Sequence, residues 1–204
     1  NSKFLLQEFT HSIAESEFLW RQSEDTLWGG KIVYSEKTRS LLQKVQTTSV
    51  TNLFFTNVTK ILKATQLQTN LGLTQAANKQ SFAWDINQNT FITDYFSFSF
   101  STRRQFDLSA KNSTNNELVT QHSFSSQYSP TDYWSARLSV NKDTRTINNK
   151  KTISLHALNF SSSIRYQDSW SISLGLSAEE LTQHNIGQKV SQYKADIAVS
   201  KVIL

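Results

Sequence analysis

Apolar and polar residues alternate in five segments of the second half of the chain. The segments cover residues 92–101, 134–141, 158–166, 170–177 and 193–200. Strict alternation over this length is typical of a β-strand with one apolar and one polar face. Short polar clusters separate the segments, and no helical pattern lies between them. The sequence therefore predicts antiparallel strands that pair in an up-and-down order.

The polar clusters predict where the strands end. In the second half they lie at 87–89, 102–104, 112–115, 129–132, 143–150, 167–169 and 179–188. The first 65 residues are ambiguous, because Leu5, Phe9 and Ile13 have helical spacing while the Thr-rich and Phe-rich stretch around Phe54 favours strands. A strand interpretation places turns at 14–16, 22–25, 35–38, 48–50 and 63–65. The predicted total is about twelve strands.

The composition indicates that one face of these strands meets something other than water. Ser, Thr, Asn and Gln supply 81 of the 204 residues, whereas charged residues reach only 18% and aromatic residues 12%. The longest apolar runs are three residues, and a membrane-spanning helix needs about 20. In a membrane such a chain could only form a closed barrel, because backbone groups must be paired there. The absence of Cys excludes disulfides and thiolate chemistry.

The two ends of the predicted sheet differ. Counted alternately, one set of turns contains the short ones at 22–25, 48–50, 77–79, 102–105, 129–132 and 167–169. The other set contains the two longest connections, 143–150 and 179–188. Aromatic residues gather beside the short turns, as they do in the interfacial girdle of a membrane barrel. The predicted girdle consists of Trp20, Trp28, Tyr128, Tyr133, Trp134, Tyr166 and Trp170.

Over about residues 26–204 the alternation and the turn asymmetry resemble those of Gram-negative outer-membrane β-barrels. The resemblance implies an all-β, antiparallel, up-and-down transmembrane barrel that fills residues 1–204 as one domain, alone or within a longer chain. It implies a place in the outer membrane of a Gram-negative bacterium, with outer-membrane lipid and other envelope proteins as partners. Leu204 departs from the terminal aromatic residue usual in such barrels. His122, in phase with Phe124 and Tyr128, is unusual for a lipid-facing position.

The polar phase of the strands contains a set of charged residues. The formal net charge is +5, and a cationic lumen would favour anions through its field. The predicted lumen or constriction residues are Arg103, Asp107, Lys111, Arg137, Arg165, Lys194 and Asp196. In size and charge the chain resembles twelve-stranded channels for acidic oligosaccharides. Alternatively, internal pairs of arginine and aspartate brace the lumen.

These features predict a passive, porin-like channel for small polar or anionic solutes. One alternative is a structural or anchoring barrel subunit of an envelope or secretion complex, and a second is a soluble β-sandwich binding module. We do not expect an enzyme, because His122–Ser123 and His156 near Asn159 are neighbours that this composition produces by chance. No cofactor, metal or nucleic acid is expected, since the histidines lack ligand spacing and the basic residues are sparse.

Overall fold

The computed structural model describes residues 8–41, 44–61, 64–77, 79–107, 117–148, 150–166 and 170–201. These residues form eleven β-strands. The strands are β1 (Glu8–Arg21), β2 (Thr26–Leu41), β3 (Lys44–Ile61), β4 (Thr65–Ala76), β5 (Lys79–Thr93), β6 (Phe96–Asp107), β7 (Glu117–Thr131), β8 (Trp134–Ile147), β9 (Lys150–Tyr166), β10 (Trp170–Gln183) and β11 (Gln188–Lys201).

Each strand pairs antiparallel with the next one along the chain, in a single sheet ordered β1 to β11. The predicted all-β, up-and-down fold class is confirmed. The two-sheet sandwich considered from the sequence is wrong for the described residues, which belong to one sheet. No helix in the described ranges is long and apolar enough to cross a bilayer.

The first three strands are longer than the sequence indicated. They have 14, 16 and 18 residues and run through the turns predicted at 14–16, 35–38 and 48–50, which are wrong. The clusters at 87–89 and 102–105 lie within β5 and β6, and most of 143–150 lies within β8. These stretches are mostly polar, so they look like loops although the backbone is paired. The turn at 22–25 is where the sequence placed it. The chain also turns after β4, within the predicted 77–79, but at the opposite end of the sheet, so the prediction that these two short turns share one end is wrong.

The usual distribution of apolar and polar side chains is reversed in the middle of this sheet. Asn52, Thr56, Asn70 and Thr74 are at most 2% exposed. Phe54, between Asn52 and Thr56 on the same face, is also buried, but many large apolar side chains lie on the outer face, where Phe55 is 52% exposed. Soluble proteins bury apolar groups and rarely expose apolar patches of this extent. The sheet therefore has a polar inner face and an apolar outer face, as a wall between lipid and a hydrated interior requires.

The adjacent ends of β6 and β7 fold inward. The pairing of β5 with β6 ends at Trp84 and Arg104, so the last residues of β6 separate from β5. Phe106 and Leu118, on β6 and β7, pack with Val50 of β3 and Ala76 of β4 in the main buried apolar cluster. The backbone N–H of Phe106 donates to Thr74 Oγ1 at 3.2 Å. The end of the β6–β7 hairpin therefore covers part of the inner face of β3 and β4.

The sheet ends in two open edges within the described residues, where β1 and β11 have one neighbour each and no ladder joins them. Every described side chain of β1 and of β11 is exposed, on both faces. Unpaired edge strands of this length are uncommon in native β-sheets, because they expose rows of backbone donors and acceptors.

Candidate functional site

The polar inner face is lined mainly by serine. Hydroxyls directly opposite each other on neighbouring strands are hydrogen-bonded, at 2.7 Å for Ser99–Ser125 and 2.6 Å for Ser101–Ser123. The same pairing joins Ser135 to Ser163 and Ser171 to Ser200, at 2.8 and 2.7 Å. Strand alternation keeps these residues on one face, because every second side chain points inward. The result is a smooth, hydrated lining with little charge of its own.

Three arginines project from this lining. The register places Arg103, Arg137 and Arg165 in phase with the serines, and all three are exposed. No acidic group among the described side chains lies within 4.0 Å of them. Arg137 borders a cavity of about 200 Å³, and Arg165 borders one of about 560 Å³ near the turns that follow β5 and β7. These cations are therefore available to a solute in the interior.

Three ion pairs also lie on the inner face. Lys194 Nζ lies 2.6 Å from Asp196 Oδ1, Lys31 pairs with Glu15 at 2.6 Å, and Arg145 pairs with Glu117 at 3.3 Å. Asp196 leans over Gly175 on the next strand, where a Cβ atom would come within 2.5 Å of the carboxylate. Some inner basic residues therefore have acidic partners, whereas the three arginines have none within 4.0 Å among the described side chains.

The predicted lumen residues do not form a single ring. Arg103 is aligned with Gln121 of β7, and Arg137 with Gln127 of the same strand. Six residues of strand separate these rows, which is about 20 Å. Asp107 lies in β6, but its side chain is outside the described part, and Lys111 lies outside the described residues. The charges are therefore distributed along the height of the wall.

The predicted girdle residues occupy one end of the sheet. Trp20 is opposite Trp28 in the register, Tyr166 is opposite Trp170, and Tyr133 lies in the β7–β8 turn. Tyr128 and Trp134 make an edge-to-face contact with centroids 5.5 Å apart. Their position beside the turns after β1, β7 and β9 is the one predicted. We propose that they lie at a membrane interface, where amphipathic rings accumulate.

The outer face carries a group of polar residues that the sequence did not reveal as a group. His122, Lys142, His156 and Glu180 are aligned across β7, β8, β9 and β10, in phase with the apolar outer residues. His122 bonds Thr102 at 2.9 Å instead of its sequence neighbour Ser123. Ser154 bonds His184 at 2.9 Å, also unforeseen. No group of three or more His, Asp and Glu residues in the described ranges is arranged to hold a metal.

No protein-family model matches the chain, and no curated protein does. Among solved structures, the FrpB iron transporter from Neisseria meningitidis (F5-1 variant) superposes with a TM-score of 0.69 at 12% identity, over 87% of this chain and 37% of that one. The siderophore receptor PirA from Pseudomonas aeruginosa gives 0.61 at 11% identity, over 96% and 47%. The NanC porin gives 0.42 at 11% identity, over 98% and 100%.

The likeness to FrpB and PirA concerns the fold alone. The chain shares with these outer-membrane β-barrels an up-and-down antiparallel sheet, which is the fold class predicted from the sequence. It spans 36–37% of the FrpB chains that it matches. That NanC match is too weak to support an argument.

Proposed function

We propose that this chain forms part of the wall of an outer-membrane transport barrel, and that small polar or anionic solutes diffuse passively along its polar face. The observation that carries the proposal is the set of unpaired arginines, Arg103, Arg137 and Arg165, on a lining of serine hydroxyls. Fixed cations in a hydrated passage raise the local concentration of anions. The hydroxyls offer weak hydrogen bonds that a polar solute can exchange for water.

We further propose that residues 1–204 are one sheet domain of a wider barrel. The open edges of β1 and β11 support this, because barrels remove their edges by closure. The superposition on 37% of FrpB and 47% of PirA also supports it, since eleven strands would then be a contiguous part of a larger ring. Further strands of the same barrel would pair with both edges and enclose the arginines.

A second candidate is specific uptake through a closed barrel. FrpB is named as an iron transporter and PirA as a siderophore receptor. The inward-folded ends of β6 and β7 favour specific uptake, because they occupy part of the interior. A structural or anchoring role in an envelope complex would likewise need no open passage. Both alternatives differ from the channel in one measurable property, which is the ion flow through the inserted protein.

Conductance of the intact protein in a planar bilayer tests the proposal. We expect stable conductance with a reversal potential that shows anion preference under a salt gradient. Arg137→Glu and Arg165→Glu should each lower that preference, because each replaces an inner cation by an anion. Lys201→Glu is the matched control: it makes the same change of charge on the outer face, where Lys201 lies 5.2 Å from the Trp170 ring.

Silence of demonstrably inserted protein in repeated trials would refute passive diffusion and favour the closed alternatives. Equal effects of all three substitutions would show that net charge, and not the inner face, determines selectivity.

A further inference from the structure

The outer cationic row, defined as Arg104, His122, Lys142 and His156, lies at the border of the apolar outer face. On β8 the outward side chains are Trp134, Ala136, Leu138 and Val140, and Lys142 is the first charged one. On β9, which runs antiparallel to β8, the outward side chains toward the same end of the sheet are Phe160, Leu158 and then His156. Charged side chains at the edge of a lipid-facing band lie at the depth of the lipid headgroups.

The members of the row are neighbours. His122 is directly opposite Lys142, and Lys142 is directly opposite His156, so they lie about 5 Å apart from strand to strand. Arg104 lies two residues after Thr102, the register partner of His122, on the same face of β6. Its guanidinium stacks 5.1 Å from the Trp84 ring, and its Nε is buried without a hydrogen-bond partner.

The row is not neutralised by acids. Glu180, the next residue across, is engaged by Lys189 at 2.8 Å. No acidic group among the described side chains lies within 4.0 Å of Lys142. The Thr102 hydroxyl holds Nδ1 of His122 and leaves Nε2 available. A phosphate placed near His122 and Lys142 would meet several donors, and the nearest carboxylate in the register, Glu180 opposite His156, is already paired with Lys189.

An apolar groove lies directly beside the row. Its volume is about 480 Å³, and it lies over β9, β10 and β11. Its lining is mostly apolar and includes Leu158, Leu176 and Tyr193 beside the small side chains of Ala178 and Ala195, with Ser177 and Lys194 as its polar members. Leu158 is one outward position from His156. The charged row and the groove therefore form one surface with a polar end and an apolar end.

We propose that this surface binds a phosphorylated membrane lipid, with the phosphate on the outer cationic row and an acyl chain in the groove. The strands extend beyond the apolar band at this end and stop at the aromatic residues at the other, which makes this the external side of a barrel. The lipid is therefore one of the outer leaflet. The lipid phosphate complements the charge of the row, and an acyl chain of the lipid complements the apolar groove.

The test measures binding of bisphosphorylated lipid A to the intact protein in detergent by native mass spectrometry. Replacing Lys142 and His156 by Gln should weaken binding at least about fivefold, since one cation near a lipid surface contributes about that factor. Lys201→Gln, which removes an outward cation from the opposite end, is the control and should leave binding unchanged. Ala178→Trp fills the groove and should weaken binding without any change of charge.

Unchanged binding in the double variant would overturn the proposal, as would equal retention of dephosphorylated lipid A by the wild type. An equal loss in Lys201→Gln would also overturn it, because the effect would then follow total charge. The thermal mobility shift of each variant confirms that it is folded, so a loss of binding is not confused with a loss of structure.

Discussion

Leu174→Arg provides a quantitative test of which face meets lipid. Leu174 lies on the outer face of β10, with Trp170 and Ile172 on one side of it and Leu176 and Ala178 on the other. These five outward positions cover about 27 Å of strand, or about 20 Å along the axis of a barrel with strands tilted by about 40°. Leu174 is therefore close to the middle of the bilayer. An arginine at that depth costs about 2–4 kcal/mol.

That cost corresponds to a decrease of about 30- to 700-fold in the folding equilibrium constant. The assay is a denaturant titration of the intact protein in lipid vesicles, followed by tryptophan fluorescence and by gel mobility. Ser173→Arg is the matched control on the adjacent residue, because Ser173 is exposed on the inner face between Ser163 and Ala198. It should change the free energy of unfolding by less than about 0.5 kcal/mol. Equal destabilisation by both substitutions would refute the assignment of the faces.

Three further outcomes are expected. The folded protein should migrate differently in mild SDS before and after boiling; an unchanged mobility would contradict a closed membrane barrel. Gly72→Ala should destabilise the protein by about 1–3 kcal/mol in the same titration, because its Cβ would overlap the Leu53 carbonyl oxygen, whereas Gly30→Ala meets nothing closer than 3.8 Å and should be nearly neutral. Phe106→Ala should loosen the inward-folded ends of β6 and β7 and raise single-channel conductance; a conductance equal to that of the wild type would show that these strand ends do not limit the passage.

The sequence predicted the fold class because the membrane-facing parts of the strands obey a simple rule. Where one face meets lipid and the other meets water, alternation is strict, as in Phe96, Phe98 and Phe100. Where a strand leaves the apolar band, both faces are polar and the rule no longer applies. The cluster at 35–38 is of this kind, so its sequence predicts a turn although the residues are paired within β2.

The features of the inner and outer surfaces depend on register and on contacts between distant parts of the chain. Alternation placed Arg137 and Arg165 in the polar phase, but it could not show which cations have acidic partners. The contact of Phe106 with the β3 and β4 wall joins residues that are far apart in sequence. The alignment of Lys142 with His122 and His156 follows from the exact pairing of three strands. His122 was the one signal visible in advance, because a histidine in an apolar phase needs a polar environment.

The hydrogen-bonded serine pairs also determine how strongly the inner face would bind a solute. Each hydroxyl already has a partner on the next strand, so the lining does not require a solute to satisfy it. Under the proposed function, a solute on these ladders would exchange hydrogen bonds only briefly, and its residence would be concentrated at the arginines. Exchanging a single serine for a bulkier donor would then create a binding position on an otherwise uniform hydroxyl lining.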